Sequence, residues 1–101
     1  MEKLKPHYGL AAVKAAFADA SSLNRSFVSK QGAGELDMDD AAVVAVIQGL
    51  SASDFDKSMT SMADHRGWQD VYKPSVGGRM LYVKFTLDAR QALFLISFKE
   101  A

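Results

Sequence analysis

Five polar side chains that could bind anions or transfer protons lie in the second half of the chain, within segments rich in β-forming residues. They are Lys57, Gln69, Tyr82, Lys84 and Lys99. Lysine and tyrosine have ordinary pKa values of about 10, so they transfer protons poorly at neutral pH unless their surroundings change those values. Repulsion among the three lysines, if they cluster, would lower the pKa of each, so that one of them could act as a neutral base.

Alternating polarity predicts that these side chains share one face of a β-sheet. In the strand predicted over residues 80–87, every second residue from Leu81 is apolar, and Tyr82 and Lys84 face the other way. Residues 88–90 predict a polar turn, and residues 93–99 predict a second strand. Strict alternation in that strand divides it into two faces, one with Phe94, Ile96 and Phe98, the other with Leu93, Leu95, Ser97 and Lys99.

Two further strands complete the predicted sheet. Residues 68–73 predict a strand that ends at Pro74, and the Gly77-Gly78 pair predicts a hairpin turn. Trp68 and Tyr72 lie opposite Gln69, where they would enter the core or stack on a nucleic-acid base. Residues 55–60 predict a fourth, short strand that carries Lys57.

The first half of the chain predicts helices. Residues 8–20 have apolar side chains at the spacing of one helical face, and residues 41–47 predict a second helix. Asp37 or Asp39 would cap the second helix, and Gly49 would end it. Residues 51–54 fit a capping box and predict a short helical turn. Residues 23–28 are either a short strand or an irregular connection, and residues 32–34 predict a turn.

Length and composition indicate a single domain that covers residues 1–101, with an α+β fold of N-terminal helices packed on a C-terminal antiparallel sheet. The longest apolar stretch, residues 41–47, falls far short of the roughly 18 residues that cross a membrane. Without cysteine there is no disulfide framework and no thiolate zinc site. The charged N-terminus lacks the apolar core of a secretory signal, so we expect a cytoplasmic protein without membrane contact.

The formal net charge is zero, because 12 basic side chains balance 12 acidic ones. A neutral chain is unusual for a protein that binds nucleic acid over a long surface. A basic site would therefore have to come from lysines that cluster in space.

Several short motifs occur in a fixed order along the chain. They are DFDKSMT at 54–60, DH at 64–65, WQDVY at 68–72 followed by Pro74, LYVK at 81–84 and ISFKE at 96–100. In order and spacing they resemble the MqsR (motility quorum-sensing regulator) toxin family, as do the opening MEK and the pair Pro6-His7. The resemblance covers nearly the whole chain and is weakest over residues 21–39.

This resemblance implies a RelE-like ribonuclease toxin fold and an mRNA interferase of a type II toxin–antitoxin pair. Such an enzyme cuts mRNA near GCU-type triplets without the ribosome, needs no metal or other cofactor, and inhibits translation and growth. The implied partner is a cognate antitoxin with a zinc-binding N-terminal domain and a helix-turn-helix domain. Operator DNA would be contacted only through that antitoxin.

The resemblance also implies which residues form the site. It gives catalytic weight to Lys57, Gln69 and Tyr82, with Met59 and Lys99 as supporting, substrate-binding positions. Three places depart from the family pattern: Asp56 stands where a tyrosine is expected, the hairpin over 87–92 is longer and lacks a histidine, and Ala101 replaces a final lysine. The Asp56 carboxylate could repel a phosphate or hold a lysine.

RNA cleavage without a metal needs a base for the ribose 2′-hydroxyl, a cation for the pentavalent phosphate, and an acid for the leaving 5′-oxygen. We expect Lys57 to be the base or the charge stabiliser, and Lys84 or Lys99 to hold the phosphate. Tyr82 would donate or accept a proton, and Gln69 would hold the phosphate or a base edge. His65 is the conventional acid–base group nearest the site and a further substrate-binding candidate.

Simpler interpretations stay open for every one of these residues. A lysine on a strand is usually solvated, Tyr82 could cover the sheet, and Met59 could fill the core. His7 and His65 lack the spacing of a metal site. At the level of function, the alternatives are a non-catalytic toxin-like module that binds its antitoxin or nucleic acid, and a nuclease that depends on the ribosome.

Overall fold

A computed structural model describes residues 1–60 and 67–101, and the predicted α+β class is confirmed. Within these residues there are three α-helices, two single 3₁₀ turns and six strands in one antiparallel sheet. The helices are α1 (Leu10–Ala16), α2 (Phe27–Glu35) and α3 (Asp40–Gln48), and the 3₁₀ turns are Ala20–Ser22 and Ala52–Asp54. The strands are β1 (Glu2–Lys3), β2 (Phe55–Thr60), β3 (Trp68–Tyr72), β4 (Ser75–Val76), β5 (Arg79–Leu87) and β6 (Leu93–Glu100).

Strand β5 is the centre of the sheet. Strands β1, β2 and β3 follow one another on one side of β5, and β6 pairs along its other side. The two-residue strand β4 pairs with the start of β5 through the turn at Gly77 and Gly78, whose φ angles of 58° and 80° require glycine. The predicted hairpin is therefore confirmed. The strands predicted over residues 55–60, 68–73 and 80–87 are also confirmed, with one-residue shifts at Lys73 and Arg79.

The helices cover one face of the sheet, which we call the inner face. The core has side chains from all three helices and from β3, β5 and β6, and its fully buried aromatic members are Phe17, Tyr72, Phe85 and Phe98. No helix within the described residues is long and apolar enough to cross a membrane.

Helix α1 is shorter than the helix predicted over residues 8–20. It ends at Phe17, and Asp19 then begins a separate 3₁₀ turn by accepting hydrogen bonds from the backbone N–H groups of Ser21 and Ser22. This local carboxylate cap competes with the helix, which explains why the helix stops before the predicted end at residue 20.

The predicted turn over residues 32–34 is wrong, because these residues lie inside helix α2. Ser26 caps this helix by accepting a hydrogen bond from the Ser29 N–H. Its buried residues have helical spacing but are small, namely Ser29, Gly32 and Ala33, and the buried Leu36 follows at the C-cap. A Cβ atom on Gly32 would overlap the carbonyl oxygen of Phe98 in β6, so this glycine serves close packing. Residues 23–26 form an irregular connection with one bridge, from Arg25 to Leu95.

Asp37 and Asp39, both candidates for the cap of α3, have different tasks. Asp39 is the cap, since its carboxylate accepts a hydrogen bond from the Ala42 N–H at 2.9 Å. Asp37 has a φ of 56° and ends helix α2 in a Schellman motif, in which the Met38 N–H donates to the Ala33 carbonyl. Gly49 ends α3 as predicted, and the capping box at Ser51 and Asp54 is also confirmed.

The predicted alternation in β6 is wrong in its first half, because the strand contains a β-bulge. Lys84 pairs with Ser97 and Phe85 pairs with Leu95, so Ile96 is the extra residue. The bulge places Leu95 on the inner face together with Phe98, and both are buried. Residues at the bulge also bind the segment before α2: Ser26 donates through its N–H to the Leu95 carbonyl and through its hydroxyl to the Ile96 carbonyl.

Candidate active site

The face of the sheet opposite the helices, which we call the outer face, holds the predicted polar residues. Directly paired residues of an antiparallel sheet project to the same side. One row across the sheet pairs Lys57 with Val71, Val71 with Lys84, and Lys84 with Ser97. The strand register therefore brings together lysines that are 27 positions apart in the sequence.

Two neighbouring rows supply the other predicted residues. Met59 pairs with Gln69 on one side of the row, and Tyr82 pairs with Lys99 on the other. Because each lies two positions from a member of the first row, all four side chains belong to the outer face. The structure thus places Lys57, Met59, Gln69, Tyr82, Lys84 and Lys99 on one surface. His65 lies outside the described residues.

Tyr82 and two lysines form the most compact part of this surface. The Lys84 Nζ atom lies 5.7 Å and the Lys99 Nζ atom 5.3 Å from the centroid of the Tyr82 ring. Both distances allow a cation–π interaction. Burial lowers the pKa of Lys84 from its ordinary value of 10.5, and the positive charge of Lys99 lowers it further. Lysine clustering was expected to lower lysine pKa values, and Lys84 shows this effect.

Lys57 has a different electrostatic environment, since a carboxylate lies beside it. Its Nζ atom is 3.4 Å from a carboxylate oxygen of Glu2 in β1, and both side chains are partly exposed. Asp56, whose effect on the site was open, instead pairs with Lys73 at 3.6 Å. Asp56, where the chain departs from the family pattern, therefore does not pair with the ammonium group of Lys57, which pairs with Glu2.

Val71 gives the outer face an apolar floor between Lys57 and Lys84. It is fully buried although it projects away from the helices. Both paired lysines have methylene stems that can cover it while their ammonium groups stay near solvent. The outer face therefore combines an apolar floor with two lysine ammonium groups that remain accessible to an anion from solvent.

The comparison with known proteins decides the family. The family model described as "Motility quorum-sensing regulator, toxin of MqsA" matches residues 5–100. The chain belongs to the MqsR toxin family. The mRNA interferase toxin MqsR of Escherichia coli (strain K12) is 40% identical to it over 100 residues, which are 99% of each chain. The resemblance seen in the short motifs is thereby confirmed.

The N-terminal segment of this MqsR family member contributes contacts that sequence reasoning missed. Asp70 is fully buried on the inner face of β3, and its carboxylate accepts hydrogen bonds from the N–H groups of His7 and Tyr8 and from the Ser58 hydroxyl. The His7 ring also stacks on Trp68, with 5.5 Å between centroids. These contacts hold the N-terminus against the sheet, where β1 can place Glu2 beside Lys57.

The sequence gives only a faint signal for this anchor. Asp70 stands between Trp68 and Tyr72 on the face predicted to enter the core. A carboxylate at such a position indicates a polar partner that cannot be named from the pattern. Within residues 1–60 and 67–101, no group of three or more acidic or histidine side chains could hold a metal ion.

Proposed function

We propose that this chain is an endoribonuclease that cleaves mRNA on the outer face of its sheet and acts as the toxin of a toxin–antitoxin pair. The observation that carries the proposal is the convergence of Lys57, Gln69, Tyr82, Lys84 and Lys99 on one face. Membership of the MqsR toxin family supports it, as does a relative that is named an mRNA interferase. A module that only bound its partner would have no physical need for this combination of side chains.

Substrate binding follows from the charges on this surface. Lysine ammonium groups attract the RNA backbone, and an RNA phosphate can replace the Glu2 carboxylate at Lys57 without leaving that charge unpaired. The exchange costs little because partly exposed ion pairs contribute only about 0–1 kcal/mol. A local cluster of this kind explains how a chain with zero net charge can bind RNA.

The catalytic roles follow from proton and charge requirements. Attack by the ribose 2′-oxygen forms a pentavalent phosphate whose extra negative charge needs a cation, and Lys57 supplies it. Tyr82 donates a proton to the leaving 5′-oxygen, and Gln69 holds a non-bridging oxygen or a base edge. Lys99 binds an adjacent phosphate and Met59 contacts the substrate. The products are a 2′,3′-cyclic phosphate and a 5′-hydroxyl.

The reaction is proposed to need neither a metal ion nor the ribosome, because side chains on one face can supply the base, the cation and the acid. Cleavage near GCU-type triplets and inhibition of translation and growth belong to the same proposal. All of these steps occur in the cytoplasm.

The partner is proposed to be an antitoxin with a zinc-binding N-terminal domain and a helix-turn-helix domain, which alone would contact operator DNA. The family description, which names a toxin of MqsA, supports an antitoxin as partner. Coexpression with a tagged antitoxin tests this part. We expect a stable complex that retards operator DNA on a native gel, whereas the free toxin does not retard it.

Cleavage of a defined single-stranded RNA in EDTA tests the enzymatic proposal. We expect the wild type to release fragments that end in 2′,3′-cyclic phosphate, and Lys57→Ala to cut about 100-fold to 10,000-fold more slowly with an unchanged melting temperature. Lys30→Ala is the matched control, because Lys30 is an exposed lysine on α2, away from the outer face. A folded wild type that leaves the RNA intact would contradict the proposal, and cutting only after addition of translating ribosomes would indicate a ribosome-dependent nuclease.

A further inference from the structure

The three outer-face lysines differ in their surroundings, and the difference separates their chemical roles. Lys57 has the Glu2 carboxylate at 3.4 Å, and Lys73 at the margin of the face has Asp56 at 3.6 Å. In the part of the chain that the structure describes, neither Lys84 nor Lys99 forms an ion pair with a carboxylate. A carboxylate neighbour favours the charged ammonium form, whereas an unpaired lysine near another cation loses its proton more readily.

Lys84 also has the most enclosed position of the three. It lies in the middle of the central strand β5, with a paired neighbour on each side, Val71 in β3 and Ser97 in β6. Its side chain is half-buried, while Lys99 near the end of β6 is exposed. Partial burial penalises the charged form of an amine, so the enclosure and the nearby cation act in the same direction.

We propose that Lys84 is the general base that removes the proton from the ribose 2′-hydroxyl, and that Lys99 acts through Lys84 by favouring its neutral form. This assignment rests on the ribonuclease function proposed above and gives Lys84 more than the phosphate-holding role expected from the sequence. It leaves Lys57, which has its own carboxylate partner, as the cation that stabilises the pentavalent phosphate.

The proton balance of the step is complete with the groups present. The neutral Lys84 amine takes the 2′-hydroxyl proton, the 2′-oxygen forms a bond to phosphorus, and the bond from phosphorus to the 5′-oxygen breaks. Tyr82 gives its hydroxyl proton to the leaving oxygen. Because the ammonium groups of Lys84 and Lys99 lie over the Tyr82 ring, the resulting tyrosinate forms beside two cations. Solvent then returns the proton from Lys84 to Tyr82.

Arginine substitutions separate a base from a cation, because arginine keeps the charge and does not lose its proton in proteins. We expect Lys84→Arg to cut RNA at least about 100-fold more slowly at pH 7, with binding of a 2′-O-methyl RNA of the same sequence within about threefold of wild type. Lys57→Arg should keep cleavage within about tenfold of wild type, because its role needs only a positive charge. The opposite result, an active Lys84→Arg and an inactive Lys57→Arg, would show that Lys57 is the base and would overturn the assignment.

The pH dependence of cleavage tests the contribution of Lys99. For the wild type, we expect the rate to rise about tenfold per pH unit above neutrality and to level off below pH 10.5, because the pKa of Lys84 is lowered from that value. In Lys99→Gln the levelling should move to higher pH, since the repulsion is lost. If Lys99 only bound phosphate or only supported the fold, Lys99→Gln would lower the rate at every pH without moving the curve, and that result would contradict an effect of Lys99 on Lys84.

Chemical rescue distinguishes the loss of a base from a structural perturbation of the variant. We expect small primary amines to restore part of the cleavage by Lys84→Ala, in proportion to the free-amine concentration as pH rises. Guanidinium, which is a cation and not a base, should not restore it. Rescue by guanidinium, or rescue proportional to the ammonium ion, would overturn the base assignment. A wild type without any cleavage would instead contradict the proposed function, so the two failures are distinguishable.

Discussion

The two faces of strand β5 have opposite chemistry, although their residues alternate along one segment of nine. On the inner face, Leu81, Val83 and Phe85 are fully buried under the helices. On the outer face, Tyr82 and Lys84 are partly exposed and lie near Lys99 of β6. The comparison shows a division of labour. Apolar burial on one face supplies stability, so the other face can hold like charges close together, which is unfavourable by itself.

Gly32, where helix α2 contacts strand β6, provides a test of this division of labour. Gly32→Ala places a Cβ atom against the Phe98 carbonyl and 3.2 Å from the Lys99 Cβ. We expect a loss of about 3 kcal/mol in the free energy of unfolding, because the helix and strand backbones must separate. Cleavage should fall as well, since β6 carries Lys99. Urea denaturation measures the first effect and the RNA assay measures the second.

Gly34 offers the matched control within the same helix. A Cβ atom there meets nothing within 4 Å, so Gly34→Ala should stabilise the protein by about 0.5–1 kcal/mol through helix propensity. Equal losses from both substitutions would contradict close packing as the reason for Gly32.

A pair of tyrosines sharpens the comparison, because one lies on each face. Tyr82→Phe on the outer face should slow cleavage about 100-fold, since the proton donor is lost, with little change in melting temperature. Tyr72 is fully buried on the inner face, and burial raises its pKa to about 12. Its hydroxyl has no hydrogen-bond partner within the described residues. Tyr72→Phe should therefore keep full cleavage and gain up to about 1 kcal/mol in stability.

The opposite outcome for these tyrosines would contradict the division of labour between the two faces. Loss of stability in Tyr82→Phe, or loss of cleavage in Tyr72→Phe, would show that one hydroxyl serves both folding and chemistry. Thermal melting and the RNA assay on the same preparations decide between these results.

The smallest expected effect concerns Asp88, in the loop between β5 and β6. The hydrogen bond from the Asn24 side chain, followed by those from the N–H groups of Ala92 and Arg90, holds the pKa of this carboxyl well below its usual range. A lowered folded-state pKa contributes stability above the unfolded value of about 3.9, and that contribution disappears as the pH falls through the folded value.

Asp88→Asn should therefore melt slightly below the wild type at pH 7, and the gap should narrow as the pH falls below about 4. Melting temperatures measured across this range check the sign. A gap that widens in acid would contradict the hydrogen-bonded carboxylate as its cause. Cleavage should be unaffected, because the loop lies beyond the outer-face rows.

The sequence was sufficient for the fold class and for most strands, because alternation in β5 is strong. It was insufficient for helix α2, whose buried face consists mainly of small residues and therefore lacks an apolar period. The bulge at Ile96 was also invisible, since the hydrogen bonds to Ser26 come from a distant segment. Secondary-structure propensity reflects residues that are close in the sequence, whereas helix α2 and the bulge depend on contacts between segments that are distant in the sequence.

The sequence predicted which side chains share the outer face, and it did not predict their electrostatic surroundings. Alternation and family resemblance together placed Lys57, Gln69 and Tyr82 on one face, and the strand register agrees. The carboxylate beside Lys57 could not be foreseen, because it comes from a two-residue strand at the N-terminus that only tertiary contacts stabilise. The difference among the three lysines is therefore a property of the fold.

The bulge at Ile96 has a consequence for how the protein tolerates changes in length. Leu95 before the bulge and Phe98 after it both point inward, although they are three positions apart. Removal of the extra residue would leave a regular strand with the same inward and outward sets. Deletion of residue 96 should therefore leave the core and the lysine-bearing face in their present orientations, with loss of the hydrogen bond that the Ser26 hydroxyl donates to the Ile96 carbonyl.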